Sequence, residues 1–125
     1  MTNQIETYRD LVVWQKAMSL VTELYKTTNN FLQNEIYGLT GQIRRCSVSI
    51  PSNIAEGYGR NSVTEYIRFL RIAAGSLYEL QTQLEISLNL KYLGKIDFEK
   101  LFESSREIER MLCSLIRKLN GKKAD

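Results

Sequence analysis

The chain has 125 residues and a mass of 14.5 kDa, with 43% hydrophobic and 25% charged residues. That is enough apolar material for one folded domain spanning residues 1–125, and it excludes wholesale disorder. Histidine is absent and the two cysteines, Cys46 and Cys113, lie far apart, so the commonest metal ligand, the commonest general acid–base and any zinc-binding spacing are all missing. Lys plus Arg exceed Asp plus Glu by 17 to 14, a net charge of +3, which permits nucleic-acid binding without requiring it.

Four segments carry helical periodicity, at residues 10–28, 35–58, 62–92 and 97–119. In the first, Leu11, Trp14, Met18, Val21 and Tyr25 recur at three- and four-residue steps and are expected to form the buried face. Asn29 to Asn34 reads as the break after it. The second segment holds the single proline, Pro51, which has no N–H for the carbonyl of Ser47. Leu39, Ile43, Ser47, Ile50, Ile54 and Tyr58 nevertheless stay in phase across it. One kinked helix is therefore expected, with the Ser47 and Ser49 hydroxyls near the broken bond. Gly59 is placed to end that helix in the left-handed conformation.

Ser62 followed by Glu65 reads as a capping box for the third helix. Phe69, Ala73, Leu77, Leu80, Leu84 and Leu88 form its apolar stripe, widened by Ile67, Leu70 and Ala74, and Gly94 is expected to close it. Within it, the small run Ala73-Ala74-Gly75-Ser76 points to close approach of another helix, within or between chains. The fourth helix is expected to open at Asp97 as N-cap, with an Ile96–Leu101 staple. Its buried stripe is Leu101, Ser105, Ile108, Leu112, Leu115 and Leu119, and the last five residues read as a frayed tail. With no strand signal and short connections, the expected fold is all-α: an antiparallel up-and-down four-helix bundle with a proline kink in helix two. No apolar run approaches the roughly 18–20 residues that span a bilayer, and the polar opening MTNQIETYRD is unlike a signal peptide. A cytoplasmic protein without membrane contact is expected.

The middle of the chain is distinctive. Tyr8-Arg9-Asp10-Leu11-Val12-Val13-Trp14-Gln15-Lys16-Ala17, Tyr37-Gly38-Leu39-Thr40, the long run from Gln42 through Ser49-Ile50-Pro51-Ser52-Asn53-Ile54-Ala55-Glu56-Gly57-Tyr58-Gly59-Arg60, and the stretches Glu65–Leu70 and Ala74–Leu80 occur in order. These stretches resemble the four-helix-bundle 23S rRNA intervening-sequence proteins of bacteria. Cys46 stands where that family usually has alanine, and Leu32 where it commonly has proline. The resemblance implies a four-helix bundle that assembles into a homo-oligomer, a ring of five. It also implies a fold similar to the accessory variability determinant of diversity-generating retroelements, which partners a reverse transcriptase and nucleic acid. It implies no biochemical activity.

The candidate site is basic. Arg44, Arg45, Arg60, Arg68 and Arg71 concentrate positive charge in the middle of the chain, where Glu56 and Glu65 are the acidic residues between positions 36 and 78. These arginines are candidate phosphate contacts for RNA or DNA, with Tyr78 sharing a face with Arg68, Arg71 and Gly75. Gln42, Arg45, Ser49, Ser52, Glu56 and Arg60 form one polar stripe that reads either as a nucleic-acid surface or as an ordinary solvated face with a Glu56–Arg60 ion pair. Trp14, Ser49, Pro51, Asn53, Glu56, Gly57 and Gly59 are read as structural motif residues. Trp14, Cys46 and Cys113 are expected in apolar surroundings, the cysteines without a disulfide. Glu56 has no acid–base companion, so no catalytic residue, metal or cofactor is assigned and no enzyme is expected. The competing reading is a homo-oligomeric protein–protein interaction module whose charged faces serve assembly.

Overall fold

The computed structural model describes residues 4–31 and 38–124, with side chains through Lys122. A 3₁₀ turn at Tyr8–Asp10 precedes four helices: α1 (Val12–Thr28), α2 (Leu39–Tyr58), α3 (Val63–Asn89) and α4 (Lys95–Ala124). No strand occurs among the described residues. Helix α1 packs on α2 and α4, and α3 packs on the same two neighbours, so the contacts close into a ring around one core. Leu24, Ile43, Ile50, Ile54, Leu70, Leu77, Leu80, Leu84, Ile108 and Leu112 are fully buried there, each contributing about 1.5–3 kcal/mol of apolar transfer.

Helix boundaries differ from the sequence expectation for local reasons. Asp10 does not open α1. Its carboxylate accepts the backbone N–H groups of Glu6 and Thr7, completing a capping box on the 3₁₀ turn, and those bonds hold its carboxyl below the ordinary carboxylate range. The expected helical residues 35–37, and Leu32, lie outside the described residues, and α2 begins at Leu39 behind Gly38. Gly59 caps α2 at φ −80°, in the right-handed region, so the expected left-handed stop is not made there. Helix α3 ends at Asn89 rather than at Gly94. The left-handed position belongs to Lys91 (φ 64°), whose N–H donates to the Leu88 carbonyl while Tyr92 N–H donates to Ser87, a Schellman closure. Helix α4 starts two residues before Asp97, which sits in its first turn rather than capping it, and runs on to Ala124 through the expected tail. Ser62 does cap α3, accepting the Glu65 N–H at 3.1 Å.

The buried faces of α2, α3 and α4 follow the expected stripes, although Leu39, Tyr58, Ala74, Leu88 and Leu115 are only half-buried. On α1 the expected face is wrong. Val13, Ala17, Leu20, Leu24 and Thr28 are buried, whereas Met18 and Tyr25 are 42% and 40% exposed. The true face lies roughly 100° around the helix, one residue at 3.6 per turn. That face packs against α2 and α4. Trp14 is half-buried, edge-to-face with Tyr8 at 5.2 Å.

Helix α2 runs unbroken through buried Pro51. The Ser47 hydroxyl donates to the Arg44 carbonyl and the Ser49 hydroxyl meets Ser76, so neither is bonded to the Ser47 carbonyl. Close approach between α2 and α3 occurs at Gly57, where an added Cβ would lie 2.8 Å from the Phe69 Cβ. Gly75, expected to mark such an approach, is exposed, and a Cβ there would meet nothing within 4 Å. Gly57→Ala is therefore expected to lose about 1–3 kcal/mol through overpacking, while Gly75→Ala gains up to about 1 kcal/mol of helix propensity. Urea unfolding midpoints of the two variants check this, and equal shifts would refute the packing contrast.

Candidate nucleic-acid interface

The arginines divide into three kinds. Arg44 is half-buried and turned inward. Its Nε donates to Thr28 Oγ1 at 2.9 Å, and its Nη2 donates to Asn29 Oδ1 at 3.0 Å and to the Tyr25 carbonyl at 3.3 Å. The guanidinium also lies 4.6 Å from the centre of the Tyr25 ring. It ties α2 to the last turn of α1, where a cation complements the free carbonyls. Arg44 is thus a structural clamp whose N–H groups are engaged by neutral acceptors of α1 and its C-cap.

Arg60 and Arg68 are exposed but matched. Arg60 pairs with Glu56 at 3.0 Å, and Arg68 takes both oxygens of Glu65 at 3.0 and 3.1 Å. Both guanidinium groups lie over the Phe69 ring, at 4.7 and 4.6 Å. The pairing with Arg68 holds the Glu65 carboxyl below its ordinary range. Exposed pairs of this kind add only about 0.3–0.5 kcal/mol each, but they neutralise the local field.

Arg45 and Arg71 remain: both are exposed and make no ion pair with a described residue. They occupy different flanks of α3. Arg71 lines a groove of about 570 Å³ between α3 and α4 together with Gly75, Tyr78, Cys113, Arg117 and Asn120. Tyr78 is 48% exposed, with its hydroxyl 3.5 Å from Glu109, whose charge is the main cause raising the phenol above its ordinary range. Arg117 and Asn120 were absent from the sequence-derived site. The signal for them is the acid-free stretch Arg117-Lys118-Leu119-Asn120-Gly121-Lys122-Lys123, whose first residues the sequence reading assigns to the fourth helix and not to the basic site.

Arg45 lines the other groove, between α2 and α3, with Gln42, Cys46, Ser49, Ser76, Glu79 and Gln83. A polar seam forms its floor. Asn53 Nδ2 donates to the Ser49 carbonyl and hydroxyl, Ser49 Oγ shares a 2.8 Å hydrogen bond with Ser76 Oγ, and the Cys46 thiol donates to the Ser76 carbonyl at 2.8 Å. Ser49 thus joins α2 to α3, while Asn53 bonds back to Ser49 within α2. Among the described residues, no group of three or more His, Cys, Asp or Glu lies close enough to hold a metal ion, and no helix is long and apolar enough to cross a membrane.

The cysteines differ. Both are free, but Cys113 is exposed, against expectation, because its turn of α4 faces the open α3–α4 groove. Cys46 is buried, and burial, reinforced by the Glu79 carboxylate, pushes its thiol up from 9.0 to about 12. Half-buried Tyr66 is likewise pushed up, mainly by desolvation, from 10.0 to about 12. In each case the folded state keeps a proton that the unfolded chain releases, so stability present below pH 9 is lost as pH rises toward 12. The urea midpoint is expected to fall across that window, and less steeply in Cys46→Ala; identical slopes would refute the assignment to Cys46.

The comparisons with known proteins agree on one relationship. A protein of unknown function from the S23 ribosomal protein family of Bacteroides thetaiotaomicron VPI-5482 has a similar crystal structure, with a TM-score of 0.77 and 28% identity. The similarity covers 84% of this chain and 98% of that one. No curated protein matches. A family model described as 23S rRNA-intervening sequence protein matches residues 9–114, the span that holds α1 to α3 and most of α4, and the chain belongs to that family.

Proposed function

We propose that this protein is a non-enzymatic, homo-oligomeric accessory protein of the cytoplasm that binds RNA or DNA through the basic surface of α3 and α4. The observation that carries the reading is the groove in which Arg71 and Arg117, neither ion-paired to a described residue, flank the exposed ring of Tyr78. Guanidinium groups take phosphates and an exposed phenol ring offers a stacking platform. Lys118 and Lys122 extend the positive charge along the same end of α4. The supporting frame is an antiparallel up-and-down bundle with α2 bent at Pro51. Gly57 near the end of α2 against Phe69 near the start of α3, and Gln81 of α3 bonded to Ser105 of α4, support that chain direction.

A second reading, assembly without nucleic acid, draws on Ile72, Ile86 and Leu90, which are 41–51% exposed along α3. These exposed apolar side chains suit a contact between copies of this chain, which the first reading also includes. Fluorescence anisotropy with structured RNA and duplex DNA across a salt series separates the two. Under the proposal the log–log salt slope is steeply negative, and Arg71→Gln and Arg117→Gln each reduce its magnitude by about 1. Arg44→Gln lowers stability and leaves the slope unchanged. No binding at low salt, or an unaltered slope in the folded double variant, overturns the phosphate assignment.

A further inference from the structure

The α2–α3 groove is not used by the basic surface of α3 and α4, and it contains an unmet demand. Gln83 is 7% exposed and lines the groove, yet its Oε1 has no hydrogen-bond partner. Leaving a buried amide oxygen unmatched is costly, so a donor brought into the groove gains by drawing the Gln83 amide toward it. Around it stand Gln42, Arg45, Ser49, Ser76 and Glu79, lining an open groove of about 440 Å³, a volume within the range of small-molecule sites. Arg45 and Glu79 make no ion pair with a described residue. The Cys46 thiol in the floor keeps its proton, so the lining holds one cation and one carboxylate.

We infer that this groove binds a guanine nucleotide, with Glu79 and Gln83 accepting from the base and Arg45 holding the phosphate. The end of the groove near Glu79 is rich in acceptors, so its occupant must bring neighbouring N–H donors. Guanine presents N1–H and N2–H₂ side by side, which a carboxylate takes as a pair. Adenine and cytosine set one amino group beside an acceptor that a carboxylate repels, and uracil has one N–H between two carbonyls. A free amino acid would match the two charges and leave most of the volume to water. The base comes either from a free nucleotide or from an unstacked position in RNA.

Calorimetric titration with GMP and AMP tests the free source. Anisotropy with labelled heptauridine carrying a single central guanosine or adenosine tests the RNA source. The expected result is a preference for guanine of about tenfold or more in at least one arm. Glu79→Gln should abolish it while preserving fold, since Glu79 is exposed, and Arg45→Gln should weaken GMP more than guanosine. Gln83→Leu removes the unmatched amide and is expected to keep the helical content while losing the preference. A preference confined to GMP or to RNA identifies the source. Equal binding of both bases in both arms, no binding in either, or a preference that survives Glu79→Gln overturns the inference. RNA bound with a steep salt slope but no base preference does so while leaving the phosphate-binding surface intact.

Discussion

The contact that the rest of the structure depends on is the approach of α2 to α3 at Gly57. There is no room for a side chain between the Gly57 backbone and Phe69. That closeness sets the spacing of the two helices, which then meet through Ser49, Ser76 and Cys46. Hydroxyl and thiol groups suit such a seam because they are short and hydrogen-bond across it without holding the helices apart. Phe69 carries a second duty, since its ring lies under Arg60 and Arg68 and brings the ends of α2 and α3 together.

The same closeness explains the distribution of charge. Where helices meet tightly, arginines from the sequence motif are drawn into local service: Arg44 to the end of α1, Arg60 and Arg68 to their carboxylates and the Phe69 ring. Along the α2–α3 and α3–α4 grooves, the guanidinium groups of Arg45, Arg71 and Arg117 are left for something else. Net charge is therefore a poor guide to where the protein meets a partner. Unmatched charge beside open volume is a better one.

Some of this was legible in the sequence. The apolar stripes of α2, α3 and α4 repeat over many turns, and a long repeat averages out single exceptions such as Pro51. The Ser62 cap and the Glu56–Arg60 pair are contacts between residues three and four positions apart, which a helix brings together regardless of its neighbours. The candidate site fared less well. Of its five arginines, Arg71 lines the α3–α4 groove, and Arg117 joins it from the end of the fourth helix, which the sequence reading left out of the site.

The sequence by itself determined the number and order of the helices, most of their buried faces and the family, because periodicity, capping and motif order are properties of neighbouring residues. Tertiary structure alone decided which face of α1 is buried, since two apolar stripes compete and only the fit against α2 and α4 selects between them. It also decided which glycine marks close packing, Gly57 rather than Gly75, and where the left-handed residue falls, at Lys91. Finally, it decided which charges are spent. Arg44 with Thr28, and Arg71 with Arg117, meet across gaps in sequence that no local pattern spans.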